Sequence, residues 1–448
     1  MLGISRMADK NEPPSSPRRG LSDLQLSELV VHGLFSRYTH RIPLSTVSEY
    51  GSSASVVILY GPNGVGKTTI LRMLDAIIRL DFDVFREVPF SECWLEFNTG
   101  QRLNVKSLKN GIEVEFDDLS VILTAEFGTK GALNPGDATK VEEFREHFFN
   151  SVENISLNFI TADRAEQFRQ SSSDNLSLYL SQPDYAISTS GHLMTRPRRT
   201  RPGDQPSRTP IADEVKRFIR EALVDTGPFF LTGTPDLFSR ILDDLTHQDT
   251  EQRSPQDIRQ MFEYVHDQDE RLERFGLHGD RWDYGRINKI LRESRSAGSA
   301  HTLTVLSTYA KFLTSRAQTR SLIAERLLAF EEVMNDFLED KTLRVHASSG
   351  FVISTDGTSL AEHQLSSGEK QLLYLMVAAL TTRRKGTVIA IDEPELSMNI
   401  RWQKKLVSNL IRCASRAAPQ LILATHSPDV ATPYAEYMIE LSIKPQHN

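Results

Sequence analysis

In the first quarter of the chain, short stretches of alternating apolar and polar residues are separated by turn residues. This period of two predicts strands at Leu26–Val31 and Tyr38–Pro43, and an antiparallel meander over Glu92–Asp117. Val56–Tyr60 is a continuous apolar run that predicts a buried strand. Lys67–Leu80 carries apolar residues at helical spacing and predicts a helix. We therefore expect one helix among many strands in this part.

The middle and the end of the chain follow different patterns. Amphipathic segments over residues 211–340 contain no long heptad array, which predicts a compact helical insertion and not a coiled-coil arm. From Leu343 onward the pattern predicts strand, helix, strand, helix and strand. Such alternation is typical of a parallel sheet covered by helices.

Three polar regions of the chain need a separate interpretation. Residues 1–20 are rich in proline and serine and are expected to be disordered. Residues 166–210 include several arginines and prolines and are expected to form a flexible loop, either a solvated linker, which we favour, or a contact to nucleic-acid phosphates. Asp243 and Asp244 fit a solvated helix face better than a nuclease site.

Composition narrows the class of protein. No apolar run approaches the roughly 20 residues that cross a membrane, and the start has no signal-peptide core, so we expect a cytoplasmic protein. The two cysteines, Cys93 and Cys413, are too few for a disulfide framework. The formal net charge of −7 gives no support for DNA binding, although it allows a local basic face.

A complete P-loop pattern follows the strand Val56–Tyr60 and opens the predicted helix. Backbone N–H groups of such a loop and the helix N-terminus bind phosphate oxygens. We expect Lys67 to reach the β- and γ-phosphates, and Thr68 to bind Mg²⁺. The residues expected to bind ATP here are Gly61, Asn63, Gly64, Gly66, Lys67, Thr68 and Thr69.

Two acidic residues end a second apolar strand, Thr387–Ile391. An apolar run of this kind is typical of a central parallel strand, whose carboxyl end would place Asp392 beside the P-loop. We expect Asp392 to hold Mg²⁺ with Thr68. Glu393 is expected to orient or deprotonate the attacking water, together with Lys67 and His426 as catalytic residues.

Two further segments complete the constellation. Leu365–Gln371 opens an apolar helix, and its serines either only cap that helix or also form a second anion site. A second phosphate site in a chain with a P-loop makes sense if it serves the nucleotide of another molecule. Leu421–Thr425 predicts a third buried strand, after which His426 would lie where a γ-phosphate sensor is needed.

These four segments, in this order, resemble the ATP-binding cassette (ABC) superfamily, and within it the branch of Rad50, SMC, RecF, OLD-type and anti-phage ATPases. The resemblance covers about residues 1–165 and 340–448. It implies that Leu365–Gln371 is the signature segment, whose Ser366, Gly368 and Glu369 contact ATP held by a partner head. It also implies that His426 is the switch histidine, and that Glu395–Asn399, with Ser397 and Asn399, is the D-loop. Relatives often have leucine and histidine where this chain has Met398 and Asn399.

The resemblance leaves the family's Q-loop glutamine unassigned, with Gln101 and Gln167 as candidates. Ile160–Arg164 resembles a stretch of the OLD-like branch. Arg164 would face the nucleotide or form a surface salt bridge.

The implied fold class is α/β: an ABC ATPase head, with a mixed sheet around the P-loop and an antiparallel β lobe, interrupted by a helical insertion. The expected organisation is a disordered segment at 1–20, the first half of the head at 21–165, a flexible loop at 166–210, the insertion at 211–340 and the second half of the head at 341–448. The implied cofactors are ATP and Mg²⁺.

The spacing of the motifs selects among ABC functions. A long separation of Lys67 from Ser366, with no membrane span, disfavours a transporter. We find no HNH arrangement, and no room after His426 for the TOPRIM nuclease of OLD enzymes, so a nuclease would be a separate TOPRIM or HNH protein. The runs Glu393-Pro-Glu-Leu-Ser397 and Thr425-His-Ser-Pro428 resemble those of stand-alone ATPase subunits of bacterial anti-phage systems, such as PARIS (AriA) and Septu (PtuA).

By that resemblance, the chain would associate with itself, sense DNA or a phage protein, and control an effector nuclease. A second hypothesis is a RecF- or Rad50-like ATPase that clamps DNA during repair or maintenance. A third is a signalling scaffold in which ATP binding, and not turnover, is the switch. The acidic total and the lack of long arms favour the first.

Overall fold

The computed structural model describes residues 24–45, 54–124, 135–152, 155–161, 210–225, 237–246, 253–277, 283–293, 300–382, 386–414 and 417–441. Its strands are β1 (Leu26–Leu34), β2 (Tyr38–Pro43), β3 (Ser55–Tyr60), β4 (Glu92–Phe97), β5 (Arg102–Leu108), β6 (Gly111–Phe116), β7 (Leu119–Thr124), β8 (Leu157–Ile160), β9 (Thr342–His346), β10 (Gly350–Thr355), β11 (Thr358–Leu360), β12 (Val388–Asp392), β13 (Gln420–Thr425) and β14 (Met438–Glu440). Its helices are α1 (Lys67–Arg79), α2 (Val84–Glu87), α3 (Pro135–Ser151), α4 (Pro210–Asp225), α5 (Leu237–Thr246), α6 (Pro255–Glu273), α7 (Tyr284–Glu293), α8 (Ala300–Phe337), α9 (Ser367–Leu380), α10 (Ile400–Cys413) and α11 (Pro428–Ala431). The predictions for residues 1–20, for Arg164 and Gln167, and for the loop at 166–210 except Pro210, lie outside these ranges.

A five-stranded parallel sheet, in the order β14-β3-β13-β12-β8, divides the head into two layers. Every residue of β12 and β13 is buried, as expected for parallel strands covered on both faces. Successive side chains of β3 enter different cores: Val56 and Ile58 belong to one, and Val57 and Leu59 to the other. The predicted α/β class is therefore confirmed.

The first layer consists of α1 and a six-stranded antiparallel sheet in the order β2-β1-β4-β5-β6-β7. The apolar face of α1, including Leu71 and Leu74, shares one core with Leu95 and Val105 of the antiparallel sheet. The predicted meander agrees with β4, β5 and β6, and its turn at Gly100 has a φ of 85°, which glycine adopts without strain. This layer presses α1 and the loop before it against the central sheet.

The second layer contains a feature that the sequence analysis did not predict. Residues 342–360 form a separate antiparallel sheet in the order β11-β10-β9. The expected parallel sheet is therefore confirmed for β12 and β13 but was wrong for this first stretch. Asp356 and Gly357, with φ of 47° and 78°, make the tight turn between β10 and β11. Asp-Gly is a preferred pair for such hairpin turns, and it pairs these strands locally.

The helices α4–α8 occupy the middle of the chain. α4 packs directly in a core of the head, for example through Phe218, and α8 joins that core to the helices α6 and α7. In its first half, Ala310 and Leu313 pack with α6 and α7 in a core of their own. In its second half, Leu327 and Phe330 belong to a core of the head. One continuous helix of 38 residues thus spans both cores. Within the described ranges, no helix has the length and apolarity needed to span a bilayer.

Candidate functional site

The predicted P-loop lies between β3 and α1. Its backbone conformation and its close packing explain why glycine occupies two of its positions. Gly64 and Gly66 have φ of 85° and 95°, a conformation that other residues rarely adopt. A Cβ at Gly66 would also lie 2.6 Å from Leu34 Cδ2. Because α1 begins at Lys67, the free N–H groups of its first turn border this loop. The loop and the helix N-terminus together offer an anion site.

Lys67 is buried within this loop, and its ammonium group is held by backbone oxygens. Its Nζ donates to the carbonyl oxygens of Gly61 at 2.7 Å and Pro62 at 3.0 Å. Burial lowers the pKa of Lys67, and the nearby carboxylates of Glu393 and Asp392 oppose that shift. The cation is therefore preorganised beside the acidic cluster at the end of β12.

Asp392 ends β12, and β13 lies between β12 and β3. Burial raises the pKa of Asp392 to about 6, while a hydrogen bond from Thr68 acts in the opposite direction. Its Oδ1 is buried and has no hydrogen-bond partner within the described part of the chain. A buried carboxylate oxygen left free beside a threonine hydroxyl fits a hard cation such as Mg²⁺. The expected pair of magnesium ligands, Thr68 and Asp392, is thus in contact.

Glu393 and His426 meet at the same edge of the sheet. Glu393 has a positive φ of 48°, and its N–H donates to the carbonyl of Ala424 at 2.8 Å. This backbone turn directs its carboxylate to His426, whose Nδ1 lies 3.5 Å from Glu393 Oε1. Both side chains retain partial exposure, so a water molecule can reach them.

Glu395 is a third carboxylate of this edge, and the resemblance implied only that it lies in the D-loop segment. It is buried, and its Oε1 lies 3.4 Å from His426 Nδ1. It also contributes to the field that acts on Lys67 and Asp392. The signals in the sequence were its place in the run Glu393-Pro-Glu-Leu-Ser397 and the repeat of glutamate two residues after Glu393.

The serine-rich segment begins α9 and leaves Ser366 exposed at its N-terminus. Ser366 Oγ accepts from the N–H of Glu369 at 3.3 Å, and Glu369 Oε2 accepts from the N–H of Ser366 at 2.7 Å. The other oxygen, Glu369 Oε1, pairs with Lys341 Nζ at 2.7 Å. Burial acts to raise the pKa of Glu369, but these partners outweigh it and lower the pKa.

Both carboxylate oxygens of Glu369 therefore have partners within the chain. A contact of Glu369 with the nucleotide of a partner stays a prediction, and it would have to compete with this capping box. Gly368 has a separate constraint, because a Cβ there would lie 2.4 Å from the carbonyl oxygen of Ser397. The expected signature segment and the expected D-loop thus pack directly against each other.

The expected D-loop residues Ser397 and Asn399 differ in how available their side chains are for contact with a partner. Ser397 is exposed with a φ of 62°, and it projects from the turn before α10. Asn399 caps α10, and its Oδ1 accepts from the N–H of Trp402 at 2.9 Å. Of the two, Ser397 is the better candidate for a contact across an interface.

The turn between β1 and β2 lies over the P-loop, a position that the sequence did not indicate. Phe35 is 40% exposed and has a φ of 54°. Its Cε2 would lie 3.2 Å from a Cβ at Gly66, so the ring borders the loop. Arg37 stacks over Tyr38 in the same turn, with its guanidinium carbon 5.3 Å from the ring centre. An exposed aromatic ring is therefore available next to the anion site.

The first Q-loop candidate, Gln101, lies in the turn between β4 and β5. Its side-chain nitrogen donates to Asp117 Oδ2 at 3.0 Å, within the antiparallel sheet. This contact gives Gln101 a structural role in the turn.

Comparisons with known proteins were made for the whole chain. A family model described as "AAA domain, putative AbiEii toxin, Type IV TA system" matches residues 56–431. A search of curated proteins finds no match.

Three solved structures illustrate the similarity of shape. The first is an Smc head domain with an extended coiled coil bound to the C-terminal domain of ScpA from Pyrococcus furiosus, at 12% identity and a TM-score of 0.40, with 94% of each chain covered. The second is an SmcHead bound to the C-winged helix domain of ScpA, at 11% identity and a TM-score of 0.39, with 94% of this chain and 95% of that chain covered. The third is an SMC head domain from Thermotoga maritima, at 11% identity and a TM-score of 0.32, with 91% of each chain covered.

The matched range of the family model contains the P-loop, Asp392, Glu393, Glu395 and His426. Because this range spans most of the chain, the chain belongs to the AAA domain family that carries this description.

Proposed function

We propose that this chain binds ATP with Mg²⁺ and hydrolyses it at composite sites formed between two heads. The observation that supports this most strongly is the arrangement at one edge of the parallel sheet. There, Lys67 lies in an anion-binding loop, Thr68 contacts Asp392, and Glu393 faces His426. Cation, metal ligands and a carboxylate–histidine pair are the parts that phosphoryl transfer to water requires.

The residues divide the work as follows. Lys67 and the loop N–H groups bind the β- and γ-phosphates, while Thr68 and Asp392 hold Mg²⁺, which when bound neutralises charge that develops on the phosphates. Glu393 accepts a hydrogen bond from the attacking water and takes its proton. His426, fixed beside Glu393, contacts the γ-phosphate from the neighbouring strand. Each role uses an atom that borders the same sheet edge.

The composite site is inferred from the exposed start of α9. Ser366 and Ser367 are exposed at a helix N-terminus, which attracts anions. The P-loop of the same head belongs to the opposite core of the central sheet, with α1, whereas α9 packs in the other core. A partner head related by a twofold axis would place this helix end on the γ-phosphate.

Ser366→Arg is predicted to permit ATP binding but to block closure of two heads. An arginine at the exposed N-terminus of α9 adds bulk where the partner's phosphate would approach. We expect ATP affinity within about threefold of wild type and a loss of turnover of about 100-fold or more, because only the closed state is impaired. Equilibrium binding, steady-state phosphate release and light scattering with ATP measure these quantities. Lys370→Arg is the matched control, and association of Ser366→Arg on ATP with normal turnover would contradict the composite site.

Phe35→Ala is predicted to weaken ATP binding without slowing the chemical step. The exposed ring beside Gly66 is suited to stack on the base, and base–aromatic stacking contributes about 1–3 kcal/mol per base. We expect KM for ATP to rise about fivefold or more, with kcat within about twofold. Steady-state kinetics measures both, and Leu108→Ala, which removes another exposed apolar side chain, is the control. An unchanged KM would show that the ring does not contact the base.

At the level of biology, we propose that the ATPase regulates a separately encoded effector nuclease in anti-phage defence. The family description, which names a toxin and a Type IV TA system, supports a toxin-related role of this kind over DNA maintenance. The formal net charge of −7 points the same way. The alternative remains a DNA-clamping ATPase, whose binding would fall steeply with salt because phosphate contacts release counterions.

A pull-down from the native host distinguishes these roles. Tagged Glu393→Gln protein, with ATP present, is recovered and analysed by mass spectrometry and nucleic-acid staining. A stoichiometric nuclease-like protein would support the defence regulator. Recovery of DNA alone, lost at higher salt, would support the DNA clamp and contradict the defence proposal.

A further inference from the structure

One carboxylate oxygen organises the loop that carries His426. Glu395 Oε1 accepts from Thr425 Oγ1 at 2.6 Å, and from the backbone N–H groups of His426 and Ser427, each at 3.2 Å. These donors are about 30 residues away in the chain and follow a different strand. The loop after β13 therefore has its conformation set by a residue that follows β12.

The same oxygen also constrains the imidazole ring. It lies 3.4 Å from His426 Nδ1, and Glu393 Oε1 lies 3.5 Å from the same nitrogen. Ionised carboxylates only accept hydrogen bonds. The two carboxylate oxygens near Nδ1 therefore favour a proton on that nitrogen. Nε2 is then the nitrogen that remains for a ligand, and it donates to a phosphate oxygen only when it also carries a proton. Glu395 thus influences both where the ring lies and which nitrogen carries the proton.

A second link joins this loop to the D-loop. Ser427 Oγ donates to Gln403 Oε1 at 2.7 Å, and Gln403 Nε2 donates to the carbonyl oxygen of Met398 at 2.9 Å. Glu395 and Met398 both belong to the segment between β12 and α10. The loop of His426 is therefore bonded to that segment at two points, one of them close to Ser397.

We propose that Glu395 is a positioning residue that acts through His426, and that Gln403 extends this connection to the D-loop. This inference rests on the proposed ATPase function. Glu395 is 6% exposed and does not face solvent as a general base would. It keeps the imidazole of His426 in position. It also makes the position of the imidazole sensitive to movement of the D-loop when a second head binds.

The substitution Glu395→Gln tests whether the negative charge of Glu395 is needed, or only its hydrogen-bonding oxygen. Glu395→Gln keeps an oxygen that can accept the three hydrogen bonds but removes the negative charge beside Nδ1. We expect kcat to fall about tenfold or more, because orientation of the imidazole is lost, with KM for ATP within about twofold. In the double variant Glu395→Gln/His426→Ala, we expect turnover no lower than in His426→Ala alone, because both changes act on one group.

Matched variants separate positioning from stability. Glu436→Gln changes an exposed glutamate of the same terminal region and should keep wild-type kcat. Gln403→Glu, which replaces the donor to Met398 by a second acceptor, should lower kcat in the same direction as Glu395→Gln. Wild-type kcat in Glu395→Gln, or losses that multiply with His426→Ala, would overturn the inference.

A nucleotide-free measurement keeps the inference separable from the proposed function. In full-length protein with ¹⁵N-labelled histidine, long-range ¹H–¹⁵N spectra identify His426 by the signals absent from His426→Ala. We expect a protonated Nδ1 in the wild type and a changed Nδ1 shift in Glu395→Gln. A neutral ring protonated on Nε2, or an Nδ1 shift unaffected by the substitution, would contradict the role of Glu395. If the wild-type protein itself does not turn over ATP, the proposed function is refuted, whereas the spectra still test the role of Glu395.

Discussion

Lys67→Ala is expected to lower ATP affinity by about 100-fold or more and to reduce turnover to background, because hydrogen bonds to charged groups contribute about 1.5–3 kcal/mol each. The ammonium group of Lys67 lies in the loop, bonded to the carbonyl oxygens of Gly61 and Pro62. Phosphate oxygens can replace these carbonyls with little rearrangement. The alanine variant therefore loses a preorganised cation and not a mobile one.

Equilibrium binding of ATP and steady-state phosphate release measure the effect of Lys67→Ala. Lys106→Ala is a suitable control, because Lys106 pairs with Glu115 at 2.8 Å on the antiparallel sheet and has no role in the site. Thermal denaturation of each variant checks that the fold persists. Near-normal turnover in Lys67→Ala would contradict the assignment of the P-loop.

Glu393→Gln is expected to lower kcat by about 100-fold to 1,000-fold, because a general base contributes roughly that factor. ATP affinity should stay within about threefold, since the amide keeps the shape of the carboxylate. The backbone turn that aims this side chain depends on its N–H bond to Ala424, which the substitution does not alter. ATP-bound heads should therefore accumulate as a long-lived associated pair.

Single-turnover hydrolysis and light scattering measure these two effects. Glu436→Gln serves as the control for removing a glutamate charge. If Glu393→Gln turns over ATP at the wild-type rate, Glu393 is not the base. If it is inactive in hydrolysis yet retains full biological activity, ATP binding and not turnover is the switch, as the scaffold hypothesis requires.

Local motifs explain why much of the site was predictable from the sequence. The P-loop, Asp392 and Glu393 each follow an apolar strand, and parallel strands end at a common edge. The contact of Thr68 with Asp392 follows from this topology. The alternation of β3 between two cores likewise follows from its continuous apolar run.

The remaining features depend on contacts between distant residues. The bonds of Glu395 to the loop of His426, and the approach of Phe35 to Gly66, leave no periodic trace in the sequence. The partners of Glu369 within the chain were not predictable, because a capping box and a phosphate site begin with the same residues at a helix start. The separate sheet β9–β11 was missed because its hairpin turn at Asp356 was outweighed by the expectation of a parallel sheet.

Mixing Lys67→Ala with Ser366→Arg tests composite ATP hydrolysis by two heads. Each variant alone lacks one half of every site. A mixed pair contains one site with an intact P-loop from one head and an intact signature from the other. At equal concentrations, we expect the inactive variants to recover about a quarter of the wild-type turnover, since half of the pairs are mixed and each has one complete site. No recovery, although both variants are folded and Ser366→Arg binds ATP, would contradict a site shared between heads.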